Sequence, residues 1–357
     1  MATVGIAGAG LLGRLLAWRL VRAGHRVIVF DSAGGAEPAF DGQGAAAFSA
    51  AGMLSPVAEL ETASPAVARL GLRSVELWRQ IVADLPGQPF FAERGSLLLA
   101  HRTDLGAAER ILARLRQAGD PRVSAESLDQ ERLRQLEPAV AGVRHAWMLA
   151  GEAHLDAVAV MAALYEGARA ARWCFGSSVE QIEPGRMRVT GQGWHRFDVA
   201  FDVRGTGARP DLAVRGVRGE TAWLHAPGLA LQRPLRLLHP RHRVYVVPRP
   251  GDVLIVGASQ IESEDRSPVS LQSAVELMSA AHSVLPQLAE ARILRLDRNL
   301  RPALPDHEPH FQVEEALVRI NGLFRHGWLL APALVDDALA MVGLAQPLQA
   351  RRETAAV

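Results

Sequence analysis

Apolar residues recur along this chain in two periods, and their alternation sets the first reading. Thr3 to Ala7 is a short apolar run of strand length, and Leu11 to Ala23 carries the 3.6-residue period of an amphipathic helix. Gly24 closes that helix, and Arg26 to Phe30 forms a second strand. Helical spacing returns over Ala66 to Leu85, where Leu70, Leu77, Trp78, Ile81 and Val82 share a face. Gly95 to Ala100 reads as a strand, Asp104 to Ala118 as a helix, and Leu128 to Leu136 as a short helix stopped by Pro138. Ala157 to Ala170 is helical. Trp173 to Ile182 is a strand entering the turn Glu183-Pro184-Gly185, and Arg186 to Val189 with Trp194 to Val203 makes a hairpin around Gly191-Gln192-Gly193.

Farther on, Glu220 to His225, Leu235 to His239, Val244 to Pro248 and Asp252 to Gly257 are short strands at regular spacing, the signature of an antiparallel sheet. Ser270 to Val284 is a helix with Leu271, Ala274, Val275, Met278 and Ala281 on one face. Leu317 to Asn321 is a strand, Gly322 to Leu330 a loop, and Ala331 to Leu344 a helix with Pro332 in its first turn. An opening strand-helix-strand unit and a later run of strands imply an α/β (α+β) chain of two interleaved domains. Residues 1–80, 145–208 and 297–345 fall to the first domain, 81–144 and 209–296 to the second, and 346–357 to a tail.

Between the first strand and helix stands Gly8-Ala9-Gly10-Leu11-Leu12-Gly13. Gly8 permits the tight turn, Gly10 lets a pyrophosphate approach the backbone, and Gly13 lets the helix pack close to the strand. The helix directs its free N–H groups and positive end at the phosphates. Asp31 ends the second strand, where a carboxylate can accept both ribose hydroxyls. Strand, triplet, helix, glycine, strand and acid at these spacings predict a bound dinucleotide, FAD or NAD. The small-residue segment Ser32 to Phe48 and the following Ser49 to Pro56 read either as a second backbone cradle or as a surface loop.

Composition narrows the chemistry. The chain has 357 residues, 49% of them hydrophobic, enough for a large core, and its net charge of +1 gives no nucleic-acid footprint. All 39 basic residues are arginines, so mechanisms that need a lysine amine are excluded. The single cysteine, Cys174, cannot form an internal disulfide, and with no export signal or apolar span in view a cytoplasmic location is expected. Neither His225, His239 and His242 nor His307 and His310 has the spacing of a closed metal site, so none is expected.

Two residues stand out as chemical candidates. Arg301, between an apolar strand and the stiffening Pro302 and Pro305, suits an anion clamp, since a guanidinium grips a carboxylate bidentately; pairing with an acid such as Asp306 is the structural alternative. Tyr245, mid-strand in Arg243-Val244-Tyr245-Val246-Val247-Pro248-Arg249, suits a hydrogen bond to a bound carboxylate or an ordinary place on a sheet face.

Taken together, the glycine triplet, Ala50-Ala51-Gly52-Met53-Leu54, Leu136-Glu137-Pro138, Arg218-Gly219-Glu220, the Tyr245 to Arg249 strand, Gly257-Ala258-Ser259, Arg301-Pro302 and Gly322 to Pro332 resemble the D-amino acid oxidase-like flavoenzymes, in particular their glycine oxidase branch. The resemblance spans nearly the whole chain. It implies a Rossmann-like FAD-binding domain interleaved with an antiparallel-sheet substrate domain, and noncovalent FAD. Gly8, Gly10, Leu11, Leu12 and Gly13 would hold the pyrophosphate, and Asp31 and Ser32 would meet the ribose. Ala46 and Ala47, alanines where the family often has hydroxyls, would serve by backbone, Ala51, Gly52 and Met53 would line the flavin, and Val179 would meet the adenine. Leu323, Phe324, Arg325, His326, Gly327, Trp328 and Leu329 would wrap the ring, with the helix from about Ala331 aiming its positive end there.

The same resemblance implies that Arg301 clamps a substrate carboxylate, Tyr245 assists and Arg325 borders the pocket. Hydride would pass from the α-carbon of a small amino acid, glycine foremost, to FAD and then to oxygen, releasing peroxide and supplying thiazole synthesis for thiamine. Sarcosine, a D-amino acid, or a role as a flavin-bearing partner protein are the alternatives, and a homo-oligomer is possible. Gln260 and Trp328 border the pocket in that reading, Trp328 restricting substrate size if it points inward.

Overall fold

The computed structural model describes residues 1–61, 63–118, 120, 122–238, 243–346 and 348. His239 and His242 lie outside them, as does most of the expected tail.

Two large sheets organise these residues. In the six-stranded sheet the order is His310–Glu314, Leu317–Asn321, Val199–Asp202, Thr3–Ala7, Arg26–Asp31, Arg172–Phe175, parallel apart from the antiparallel edge strand His310–Glu314. Alternation along Thr3–Ala7 explains its two covered faces. Val4 and Ile6 join the core formed with the helices Leu11–Arg22, Pro65–Asp84, Ala157–Gly167 and Gly327–Met341, whereas Ala7 faces a cluster with Ile182, Met187 and Phe197.

The second sheet has eight strands, in the order Arg292–Ala303, Arg215–His225, Val253–Gly257, Arg243–Arg249, Leu235–Leu238, Ser96–Ala100, His145–Leu149, Glu126–Leu128. All its pairings are antiparallel but Leu235–Leu238 with Ser96–Ala100. The expected junctions at 145 and 297 thus fall on strands of this sheet. Arg292–Ala303, the strand that leads into Arg301, mixes apolar residues with charges at Arg292, Arg295, Asp297, Arg298 and Arg301.

Four expected elements are corrected, the last of them the closing helix. Trp194 to Val203 is two strands: Gly193–Arg196 completes the hairpin, and Val199–Asp202 crosses into the parallel sheet after Asp198 accepts the Thr3 N–H at 2.7 Å. Trp173 to Ile182 breaks at Gly176 into Arg172–Phe175 and Val179–Glu183. On the helix Leu271–Val284, Leu271 and Val275 face solvent, and the buried stripe is Ala274, Leu277, Ala281 and Val284.

The last helix starts at Gly327, four residues earlier than Ala331. Pro332 therefore lies in its interior, where it leaves the Trp328 carbonyl without its usual donor. That carbonyl instead accepts the indole N–H of Trp78 at 2.7 Å, so the break in the ladder is filled by a side chain from the helix Pro65–Asp84.

Candidate active site

A cavity of about 1300 Å³ runs between the two sheets, from the glycine-rich turn to Arg301 and Tyr245. Its volume exceeds the roughly 300–1,000 Å³ of ordinary small-molecule sites, leaving room for an extended cofactor and a second ligand.

At one end backbone makes the wall. Gly8 has φ +108°, and a Cβ there would stand 2.6 Å from the Val203 carbonyl oxygen; at Gly13 it would overlap the carbonyl oxygen of Gly8. No side chain caps the helix Leu11–Arg22, so its first N–H groups stay open, with Gly10, Leu11 and Leu12 on the cavity. Gly13 itself lies behind the wall and acts by letting helix and turn touch.

Asp31 lines the cavity too, its Oδ2 accepting the Ala9 N–H at 2.5 Å and its Oδ1 the Ala33 N–H at 2.7 Å. It pins the turn and still presents free lone pairs. Ser32 and the run through Ala46, Ala47, Ala51, Gly52 and Met53 also form wall, which favours the cradle over the loose-loop reading. Val179 does not reach the cavity, and its carbonyl accepts Arg204 Nη1 at 3.0 Å.

Sequence reasoning missed Arg14. This buried side chain donates to the carbonyls of Ala9 at 2.9 Å, Met161 at 2.9 Å and Ala36 at 2.6 Å, and it borders the cavity. Burial pulls its pKa down to about 10, against the opposing field of Asp31. A guanidinium held by carbonyls and by the rings of Phe48 and Tyr165, with no carboxylate bonded to it among the described residues, suits a diphosphate. Its place directly after Gly13 was the available signal.

At the other end side chains from distant strands converge. Arg301, on Arg292–Ala303, lies over Gly219 of the adjacent strand, where any Cβ would overlap its guanidinium. Tyr245, on Arg243–Arg249, lies over Gly257, where a Cβ would stand 2.6 Å from the phenol oxygen. Because Arg215–His225 and Val253–Gly257 lie between the strands that carry Arg301 and Tyr245, the glycines open a trough with Arg301 on one side and Tyr245 on the other. Neither glycine was picked out for this beforehand.

Arg301 Nη1 donates to the carbonyl oxygens of Ser259 at 3.1 Å and Arg218 at 3.4 Å, and among the described residues no carboxylate pairs with it, Asp306 included. Burial lowers its pKa, as the cost of desolvating a cation without an anion requires. Burial raises the pKa of Tyr245, which keeps its phenol protonated as a donor. The Arg218-Gly219-Glu220 motif explains the support beneath: Arg218 pairs with Glu220 at 2.6 Å, and Glu220 accepts Ser259 Oγ at 3.0 Å, fixing the segment whose carbonyl holds Arg301.

Arg325 lines the cavity and bonds the carboxylate of Glu59, which also meets Arg236 at 3.4 Å and His326 at 3.5 Å. Burial pushes the Glu59 carboxyl up, but the charges of Arg325 and Arg236 outweigh it and hold it far below the ordinary range. Glu59 and Arg236 were not anticipated, since 177 residues separate them and no local motif marks either. Leu323, Phe324, His326, Gly327 and Leu329 share this wall. Trp328 has one edge on it, but its ring packs on Trp78 at 5.4 Å and its N–H donates to Ala47 at 3.2 Å, so its bulk is spent joining helix to cradle.

The family model for FAD-dependent oxidoreductases (DAO) matches residues 3–337. The chain belongs to that family. Its residues fit FAD on the geometry above: a turn that admits no Cβ, an uncapped helix start and a cavity long enough for a dinucleotide. This flavoenzyme is 38% identical over 338 residues to a putative thiamine biosynthesis oxidoreductase, ThiO, of Rhizobium etli, covering 92% of this chain and 93% of the relative. It is 26% identical to a glycine oxidase of Bacillus licheniformis, over 96% and 93% of the two chains. The crystal structure of glycine oxidase from Geobacillus kaustophilus matches with a TM-score of 0.82 at 25% identity, covering 99% of this chain and 96% of that one. The family establishes the expected fold, the oxidoreductase class and FAD. No helix among the described residues is long and apolar enough to cross a membrane.

Proposed function

We propose that this flavoenzyme oxidises glycine, or an amino acid of similar size, to its imine and so to glyoxylate and ammonia, with oxygen accepting the electrons as hydrogen peroxide. Delivery of the imine to thiazole synthesis for thiamine, in the cytoplasm, belongs to the same reading. The observation that carries it is the glycine-floored trough in which Arg301, free of any described carboxylate, faces Tyr245. The names of the relatives support it.

Bound FAD supplies a two-electron acceptor for the hydride of the substrate α-carbon. Gly8 to Leu12, Arg14, Asp31, Ser32 and the Ala46 to Met53 wall would hold it, with the 323–329 segment closing the site. Arg301 grips the substrate carboxylate and Tyr245 donates a second hydrogen bond, which together fix the orientation of the α-carbon. No residue need remove a proton from carbon: a neutral amine drives hydride out, and the guanidinium fields of Arg301, Arg236 and Arg325 disfavour a further positive charge nearby.

Peroxide release from the purified, FAD-loaded protein across glycine, sarcosine, D-alanine and D-proline tests the reading. Turnover strongest on glycine supports it. Turnover strongest on sarcosine or a D-amino acid moves the substrate, and no turnover on any of them contradicts the proposal.

A further inference from the structure

Arg249 closes the strand Arg243–Arg249 and turns inward, only 7% exposed. It donates through Nη2 to the Ala51 carbonyl and through Nη1 to Pro248 at 3.3 Å, while its Nε is buried without a partner. Among the described residues no carboxylate pairs with it. Asp156, the one acid whose field reaches it, is engaged elsewhere, accepting the N–H groups of Val158 and Ala159 at 3.0 Å as the cap of the helix Ala157–Gly167. His154 beside it supplies no counter-charge. Both ring nitrogens of His154 are buried and unpartnered, and burial, followed by the charges of Arg249 and Arg94, pushes its pKa down to about 3.

A buried guanidinium without an anion is costly, and its cost falls when negative charge arrives nearby. The group it holds is the cavity wall itself. Ala51, Gly52 and Met53 line the cavity, Gly52 sits at φ +64°, and a Cβ on Gly52 would strike the Leu155 carbonyl and come within 3.0 Å of Arg249 Nη2. Leu155 donates back to the Gly52 carbonyl at 3.0 Å. The wall is thus clamped between one strand and one uncompensated cation.

We infer that Arg249 is a positioning residue for the flavin: it fixes the Ala51 to Met53 backbone and places an unpaired positive charge behind it that favours the reduced cofactor. FAD that takes up two electrons and one proton gains one negative charge, the electrons coming from the amine in turnover or from a chemical reductant in a titration. A fixed cation near that charge raises the equilibrium constant for reduction.

The test is the midpoint potential of FAD in the holoprotein, by dye-referenced chemical reduction, for wild type, Arg249→Gln and Arg249→Lys, with FAD dissociation constants measured alongside. Because the reductant is chemical, the result stands whichever amine the enzyme oxidises. Arg249→Gln is expected to lower the reduction constant at least tenfold, about 30 mV for a two-electron couple. Arg249→Lys, which keeps the charge, should stay within about threefold at neutral pH. An unchanged potential in Arg249→Gln, whatever its FAD affinity, overturns the inference. Should that variant not retain FAD, the Lys variant decides through its pH profile, since an unpaired buried ammonium has a depressed pKa. A reduction constant within about threefold of wild type, or falling away from it as pH rises, supports the charge role, and one at least about tenfold lower at every pH overturns it.

Discussion

The two ends of the cavity are built in opposite ways. The glycine-turn end is made of backbone from neighbouring residues: Gly8, Gly10 and Gly13 fall within six positions, and the acid that pins the turn follows on the next strand. The Arg301 end is made of side chains whose strands are far apart in sequence and adjacent only in the sheet. One end recognises a cofactor by what the backbone leaves open. In the proposed function the other seats a small acid with an arginine and a tyrosine that lean over missing side chains. Damage to the first should abolish cofactor binding, and damage to the second should spare it.

The largest effect is expected from Gly13→Ala. Its Cβ would overlap the Gly8 carbonyl oxygen, and backbone cannot swing aside as a side chain can. Overpacking of this kind costs about 1–3 kcal/mol or more, and the purified variant should lose most of its yellow FAD, measured by absorbance after gel filtration. Retention of a full complement would break the contrast.

Arg301→Ala should keep its FAD and raise KM for the amino acid at least about tenfold, since a charge-assisted contact contributes roughly 1.5–3 kcal/mol. Gly219→Ala should approach the same kinetic phenotype without touching the arginine, because the new methyl displaces the guanidinium. A Gly219→Ala enzyme with unchanged KM would show that Arg301 acts from some other position. Tyr245→Phe is milder. Loss of one neutral hydrogen bond is worth about 0.5–1.5 kcal/mol, or roughly two- to tenfold in KM.

Glu59 is read out through stability rather than through ligand binding. Its folded pKa lies far below the unfolded value of 4.5, so its pairing stabilises the fold above that pH and the contribution disappears as pH falls through the folded value. Glu59→Gln should therefore be less stable than wild type at neutral pH by denaturant titration, and the gap should begin to close below about pH 4.5. A gap that widens on acidification would show that Glu59 is not held ionised.

What the sequence made legible follows the same division. The first strand, helix and second strand were readable because their signals are local, and so were Arg301 and Tyr245 as candidates. The strand Arg292–Ala303 was legible only as the apolar run leading into Arg301, and its pairing with Arg215–His225 left no local sign. Glu59 and Arg236 were invisible because their meeting is a consequence of sheet order. Gly219 and Gly257 could be read within family motifs, yet their purpose depends on which side chain crosses them from the next strand. Trp328 was expected to border the pocket with its direction left open; it lines the cavity, and its contacts with Trp78 and Ala47 set that direction.

The most direct test uses glycolate, which carries the carboxylate of glycine but no amine to oxidise. Titrated into the FAD-loaded protein, it should perturb the visible flavin band saturably, with a dissociation constant at least about tenfold weaker in Arg301→Ala. An unperturbed band in the wild type, or equal affinity in both proteins, would contradict a carboxylate seat at Arg301 beside the cofactor.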